Sequence, residues 1–176
     1  MGVAGLLRDN SLTHSDAITV FEGQKRSLML IETLKALFTR DLNKLRNEIE
    51  LYEKEENLWR VEGHIANSAG NLCLHLVGNL NTYIGKEIGK SDYVRNRALE
   101  FSSRNVPRED LLNKIEDTVR VIHASLDRLD ESDLASEYPV LVFEEMTSTQ
   151  HLLVHLATHL TYHLGQINYH RRLLDT

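Results

Sequence analysis

At 176 residues the chain fits one domain and can bury most of the apolar surface it exposes when unfolded. Its net charge of −6 comes from acidic and basic residues mixed along the chain, so no single-sign surface of the kind that neutralises phosphates is expected, and nucleic acid is not an expected partner. One cysteine excludes an intramolecular disulfide and a cysteine-based zinc site, and the apolar runs fall far short of a membrane span. With no apolar h-region read at the N-terminus, these features point to a cytoplasmic protein that does not enter membranes. Two prolines and nine glycines leave long stretches without helix breakers, and the expected class is all-α.

Residues 1–26 show no sustained periodicity and are read as an N-terminal extension or short leading helix. From Ser27, the residues Leu30, Leu34, Leu37, Phe38, Leu42, Leu45 and Ile49 fall at helical spacing, which predicts an amphipathic helix to about Tyr52. A charged connection follows, with Leu58 and Trp59 as an apolar anchor. The second helix opens at Asn67 or Ser68, both good N-caps, and runs to about Ile88 on a stripe of Leu72, Leu76, Leu80 and Tyr83. His75 and Asn79 lie on the polar margin of that stripe, whereas Cys73 lies about 160° around the helix from His75 and reads as a small core residue.

Between Gly89 and Val106 the sequence predicts a polar connection containing Arg95, Arg97, Glu100 and Phe101. Pro107 suits the first position of a third helix, with acidic residues after it that complement the helix dipole and an apolar stripe to about Asp130. In the loop beyond, Val140 to Phe143 is β-prone and reads as a short extended piece. Thr147 or Ser148 then caps a fourth helix that reaches about Leu174. Four long amphipathic segments predict a four-helix bundle, an architecture that builds metal sites between facing helices.

The fourth helix carries His151, His155, His159 and His163 at every fourth residue, then His170. With Leu160 of the buried row Leu153, Leu160, Ile167 and Leu174 at 0°, His163 falls at about −60°, His159 at about −100°, His155 at about −140° and His151 at about 180°. His159 and His163 are therefore the pair at the edge of the core, His155 is marginal and His151 is exposed. His170 shares their face but sits about 10 Å along the axis from His163, too far to share one ion. The pair and His75 make a three-histidine set suited to a transition metal, with a coordination position left open. The competing reading is a polar seam of hydrogen-bonded histidines with Asn79, Gln166 and Asn168 as partners.

A histidine in the Leu-rich stretch Asn71-Leu72-Cys73-Leu74-His75-Leu76-Val77-Gly78-Asn79-Leu80, followed by a terminal His159-x-x-x-His163-Leu164-Gly165-Gln166, resembles the DinB family of metal-binding four-helix proteins. The resemblance covers residues 27 to 174. It implies a DinB-type bundle over residues 27–176, with His75, His159 and His163 as a metal-binding triad for zinc or nickel, iron also being suited. It further implies a homodimer, a count of apolar helix faces pointing the same way. Family members with assigned activities include transferases and isomerases that use low-molecular-weight thiols and relatives of metal-dependent hydrolases, so the expected function is a metal-dependent thiol S-transferase or hydrolase acting on small molecules. No catalytic base is singled out, although Glu144, Glu145 and Tyr162 are available. The alternative is a non-catalytic dimeric helical module whose metal site is structural or vestigial.

Overall fold

The computed structural model describes the backbone of residues 14–175 and the side chains of residues 29–175. Its described residues are mostly helical and include no strand, only one isolated antiparallel bridge between Glu137 and Ser148. The first helix, α1 (His14–Glu50), begins well before Ser27. The expected start was late because periodicity reports which face is buried, whereas residues such as Ala17, Glu22, Gln24 and Lys25 can sustain a helix on propensity alone. Residues 1–13 of the expected extension lie outside the described residues. Along α1 the residues Ile31, Leu34, Phe38, Leu42, Leu45 and Ile49 are all buried, so one face of the helix is the floor of the core.

A 3₁₀ turn, Glu55–Trp59, buries Leu58 and Trp59 as the anchor expected there. The indole covers the start of α2 (Ala69–Leu80), where only a glycine at position 70 leaves it room. Ser68 caps α2 by accepting a hydrogen bond from the Asn71 N–H. The helix then widens into a π turn, Asn81–Lys86. The Asn81 and Thr82 side chains donate to the carbonyls of Val77 and Gly78, and such competition for helix carbonyls favours a local change of winding.

The polar connection after α2 contains a short helix, α3 (Arg97–Ser102), capped by the Asn96 side chain. Pro107 is the cap residue rather than the first helical residue of α4 (Arg108–Leu126). A second short helix, α5 (Glu131–Ala135), is set by a capping box between Asp130 and Asp133. Val140 to Phe143 forms no strand, since no neighbouring chain offers a ladder; Val142 and Phe143 instead pack on the edge of the core. Ser148 caps α6 (Thr149–Leu174), and its row Leu153, Leu156, Leu160, Leu164, Ile167 and Leu174 is buried as the periodicity predicts.

Helix α1 packs on α4 and α6, and α2 packs on the same two helices while α3 lies against α2. This places the polar edge of α2 beside the polar edge of α6, with α3 covering one end of the seam. Among the described residues, no helix is long and apolar enough to cross a membrane.

Candidate metal centre

His75 on α2 and His159 and His163 on α6 meet at that seam. Each offers a ring nitrogen such that the three atoms lie within 4.8 Å of one another. The Nε2 atoms of His75 and His159 are 3.1 Å apart. Ring nitrogens held about 2.0–2.1 Å from a tetrahedral zinc ion lie about 3.4 Å from each other, so this pair already has nearly the separation that an ion requires. The chemistry of the donor set fits a divalent transition metal, because three neutral imidazoles supply three lone pairs and leave a fourth position open.

The protons of two of these rings are placed by their partners. His75 is buried, and its Nδ1 lies 3.1 Å from Oε2 of Glu100, a carboxylate that can only accept. A proton on Nδ1 satisfies this contact and leaves Nε2 bare toward the other two rings. His163 Nδ1 lies 2.6 Å from Gln166 Oε1, and the Gln166 amide in turn donates to the Tyr162 hydroxyl at 3.2 Å. Its Nε2 is likewise free for a ligand. His159 makes no other side-chain hydrogen bond among the described residues; with His75 Nε2 bare, the His159 Nε2–H is the donor across the 3.1 Å contact, and that nitrogen becomes a ligand only with the proton on Nδ1.

Burial pushes the His75 pKa down against the opposing pull of Glu100. His159 is lowered to about 4, first by burial and then by the neighbouring His163 and His75. Both are neutral near pH 7, the form that binds a metal ion.

Glu100 is buried and held at both oxygens by Arg95, at 2.6 and 2.8 Å. The carboxylate occupies the space a side chain at position 78 would fill, since a Cβ on Gly78 would collide with Glu100 Oε1. Phe101 closes the other side of the His75 ring, with centroids 5.1 Å apart. Sequence reading placed Arg95, Glu100 and Phe101 in a connection without a role, because their link to His75 spans a turn of the chain. A glycine in the middle of the Leu-rich α2, three residues after His75, was the available signal, since a helix-interior glycine often marks a close approach.

The remaining candidates separate as the helix geometry implies. His151 is exposed, and His155 is half-buried, stacked on His159 at 5.9 Å and set against Phe143. His170 lies outside the cluster, buried between the Tyr52 hydroxyl on Nδ1 and the Arg60 carbonyl on Nε2. Of the three polar partners expected for a histidine seam, only Gln166 bonds to a cluster histidine. Asn168 donates to Glu48, while Asn79 Oδ1 is buried without a partner among the described residues. Cys73 is fully buried and its thiol is pushed up to about 12, consistent with a core residue. Glu144 and Glu145 are exposed and form no hydrogen bond to the cluster.

A family profile described as "Protein of unknown function (DUF1572)" matches residues 27–176. The chain belongs to this DUF1572 family. The matched region takes in the three histidines together with Arg95, Glu100 and Gln166. No curated protein matches this DUF1572 chain.

Proposed function

We propose that the protein is a cytoplasmic metal-dependent enzyme with a DinB-type four-helix bundle, transferring a low-molecular-weight thiol to an electrophile or hydrolysing a small substrate. The observation that carries this reading is the convergence of three imidazoles, two of which have Nδ1 within hydrogen-bond distance of an acceptor oxygen, on Glu100 and on Gln166. His75, His159 and His163 would hold the ion, zinc or nickel by preference, with iron also suited to the donors. A divalent ion there supplies Lewis acidity, lowering the pKa of a thiol or water in its open position or polarising an electrophile.

The chain's own residues would do the rest. Ile65, Leu72, Tyr169, His170, Leu173 and Gln166 line a cavity of about 330 Å³ that none of the triad histidines lines, and Gln166, bonded to His163, is the link through which an apolar body held there would approach the triad. Tyr162, exposed and linked to His163 through Gln166, offers a hydroxyl close to the cluster. A homodimer is supported by the outer face of α6, where Val154, Tyr162, Tyr169 and Leu173 are exposed and no Asp, Glu, Lys or Arg occurs from Thr149 to His170.

The second reading, a non-catalytic module with a structural or vestigial site, draws on one observation. The carboxylate that reaches the cluster, Glu100, is committed to Arg95 and His75 and is not free to act as a base. Metal analysis of tag-free protein tests the site: about one equivalent of zinc or nickel is expected, and none in H159A/H163A. Retention of the ion by that variant would refute the triad. A panel of small thiols with electrophilic acceptors then separates the two readings, since only the enzyme turns them over, and only with His75 present.

A further inference from the structure

Besides its 3.1 Å contact with Glu100, the Nδ1 atom of His75 has a second neighbour, Arg95 Nη2, at 3.3 Å. The two neighbours make opposite demands. A carboxylate accepts and requires the proton on Nδ1, whereas a guanidinium donates and requires a bare Nδ1, which sends the proton to Nε2. Nε2 is the nitrogen that faces His159 and His163. The first tautomer presents a lone pair to the proposed metal position and the second blocks it with a hydrogen.

We infer that Glu100 is a positioning residue that selects the metal-binding tautomer of His75, by occupying the guanidinium of Arg95 and itself accepting the Nδ1 proton. This rests on the triad proposed above. Several features of the fold serve the arrangement. Glu100 and Arg95 are both largely shielded, with side-chain exposures of 7% and 14%, so water does not compete for either group. Arg95 is further held over the Tyr83 ring, 5.9 Å from its centroid. Gly78 leaves the space that the carboxylate fills. Asn71 fixes α3 by donating to the carbonyls of Glu100 and Ser103 at 2.9 and 3.0 Å. With the carboxylate removed, Arg95 is the donor left beside Nδ1. Loss of Glu100 should therefore be worse than loss of both members of the pair.

The test uses metal-free protein, zinc alone, and three chains: the natural one, E100L, and E100L/R95M. Long-range proton–nitrogen correlation spectra report the tautomer of His75 directly, and calorimetric titration reports zinc affinity. The natural chain should show His75 protonated on Nδ1. E100L should show it protonated on Nε2 and bind zinc about 10–100-fold more weakly, the range typical for loss of a group that orients a metal ligand. E100L/R95M should show both tautomers and an affinity between the other two.

A merely structural role for Glu100 predicts a double variant no better than E100L, and that result overturns the inference. So does an Nε2-protonated His75 in the natural chain, a measurement that stands even if E100L does not fold. Failure of the natural chain to bind zinc, with the expected tautomers intact, overturns the metal-site reading and leaves tautomer selection by Glu100 standing. Zinc binding unchanged in a folded E100L does the reverse.

Discussion

Two glycines in helices that flank the same seam are predicted to respond in opposite directions to the same substitution. A helix-interior glycine ordinarily destabilises by about 0.5–1 kcal/mol relative to alanine, because the unfolded chain has more freedom to lose. Gly165 on α6 has open space where a Cβ would stand, so G165A should stabilise the protein by about that amount in thermal or urea unfolding. Gly78 faces the Glu100 carboxylate, which Arg95 prevents from moving aside. There the steric cost of about 1–3 kcal/mol for inserting a methyl into packed surroundings outweighs the helix-propensity gain. G78A should therefore lower the unfolding midpoint and displace Glu100 from His75, weakening zinc binding in the same protein. A Gly78 variant as stable as the natural chain would show that the carboxylate has room to yield.

At the scale of elements, α3 shows what helical periodicity can and cannot reveal. Helices α1, α2, α4 and α6 each bury a continuous stripe, so their leucines and isoleucines recur at 3.6-residue spacing and are readable without coordinates. The inward placement of His159 and His163 followed from the same arithmetic. Helices α3 and α5 span six and five residues, too short for a stripe, and owe their existence to the capping side chains Asn96 and Asp130. What fixes α3 is Asn71, on the far side of the loop, which also accepts from Ser68 and Arg104. No local pattern announces such a tie, and for that reason the Glu100 contact was not legible while its partner His75 was. Replacing Asn71 with alanine removes a buried amide that makes four hydrogen bonds, two to backbone carbonyls and two from side chains, which at about 0.5–1.5 kcal/mol per hydrogen bond amounts to roughly 2 kcal/mol or more. N71A should also weaken zinc binding, because α3 carries the carboxylate. Calorimetric titration on the folded variant checks this; unchanged affinity would mean that α3 is held well enough without Asn71.

For the molecule as a whole, the buried histidines set how stability depends on pH. His75, His159 and His170 all have folded pKa values below the ordinary 6.5, in each case chiefly because burial disfavours the charged ring. Such a group is neutral in the fold while the same ring in the unfolded chain accepts a proton. As pH falls below about 6.5 the unfolded state therefore binds protons first and is favoured, and the loss continues until the folded rings also protonate, at about 4 for His159. The stabilising contribution is present above pH 6.5 and is lost between there and about 4. Carboxylates act in a lower window: the Arg40 guanidinium holds Asp41 below its usual value, and its stabilising effect disappears only below about pH 4. Metal-free protein should accordingly show a urea midpoint that already falls between pH 6.5 and about 5, above the range in which carboxylates take up protons, and goes on falling to pH 4. Saturating zinc should raise the midpoint at pH 7 and steepen the decline, since protons and metal compete for the same three nitrogens. A midpoint flat across that window in metal-free protein would mean that the histidines are hydrated in both states, and the buried seam between α2 and α6 would have to be abandoned with them.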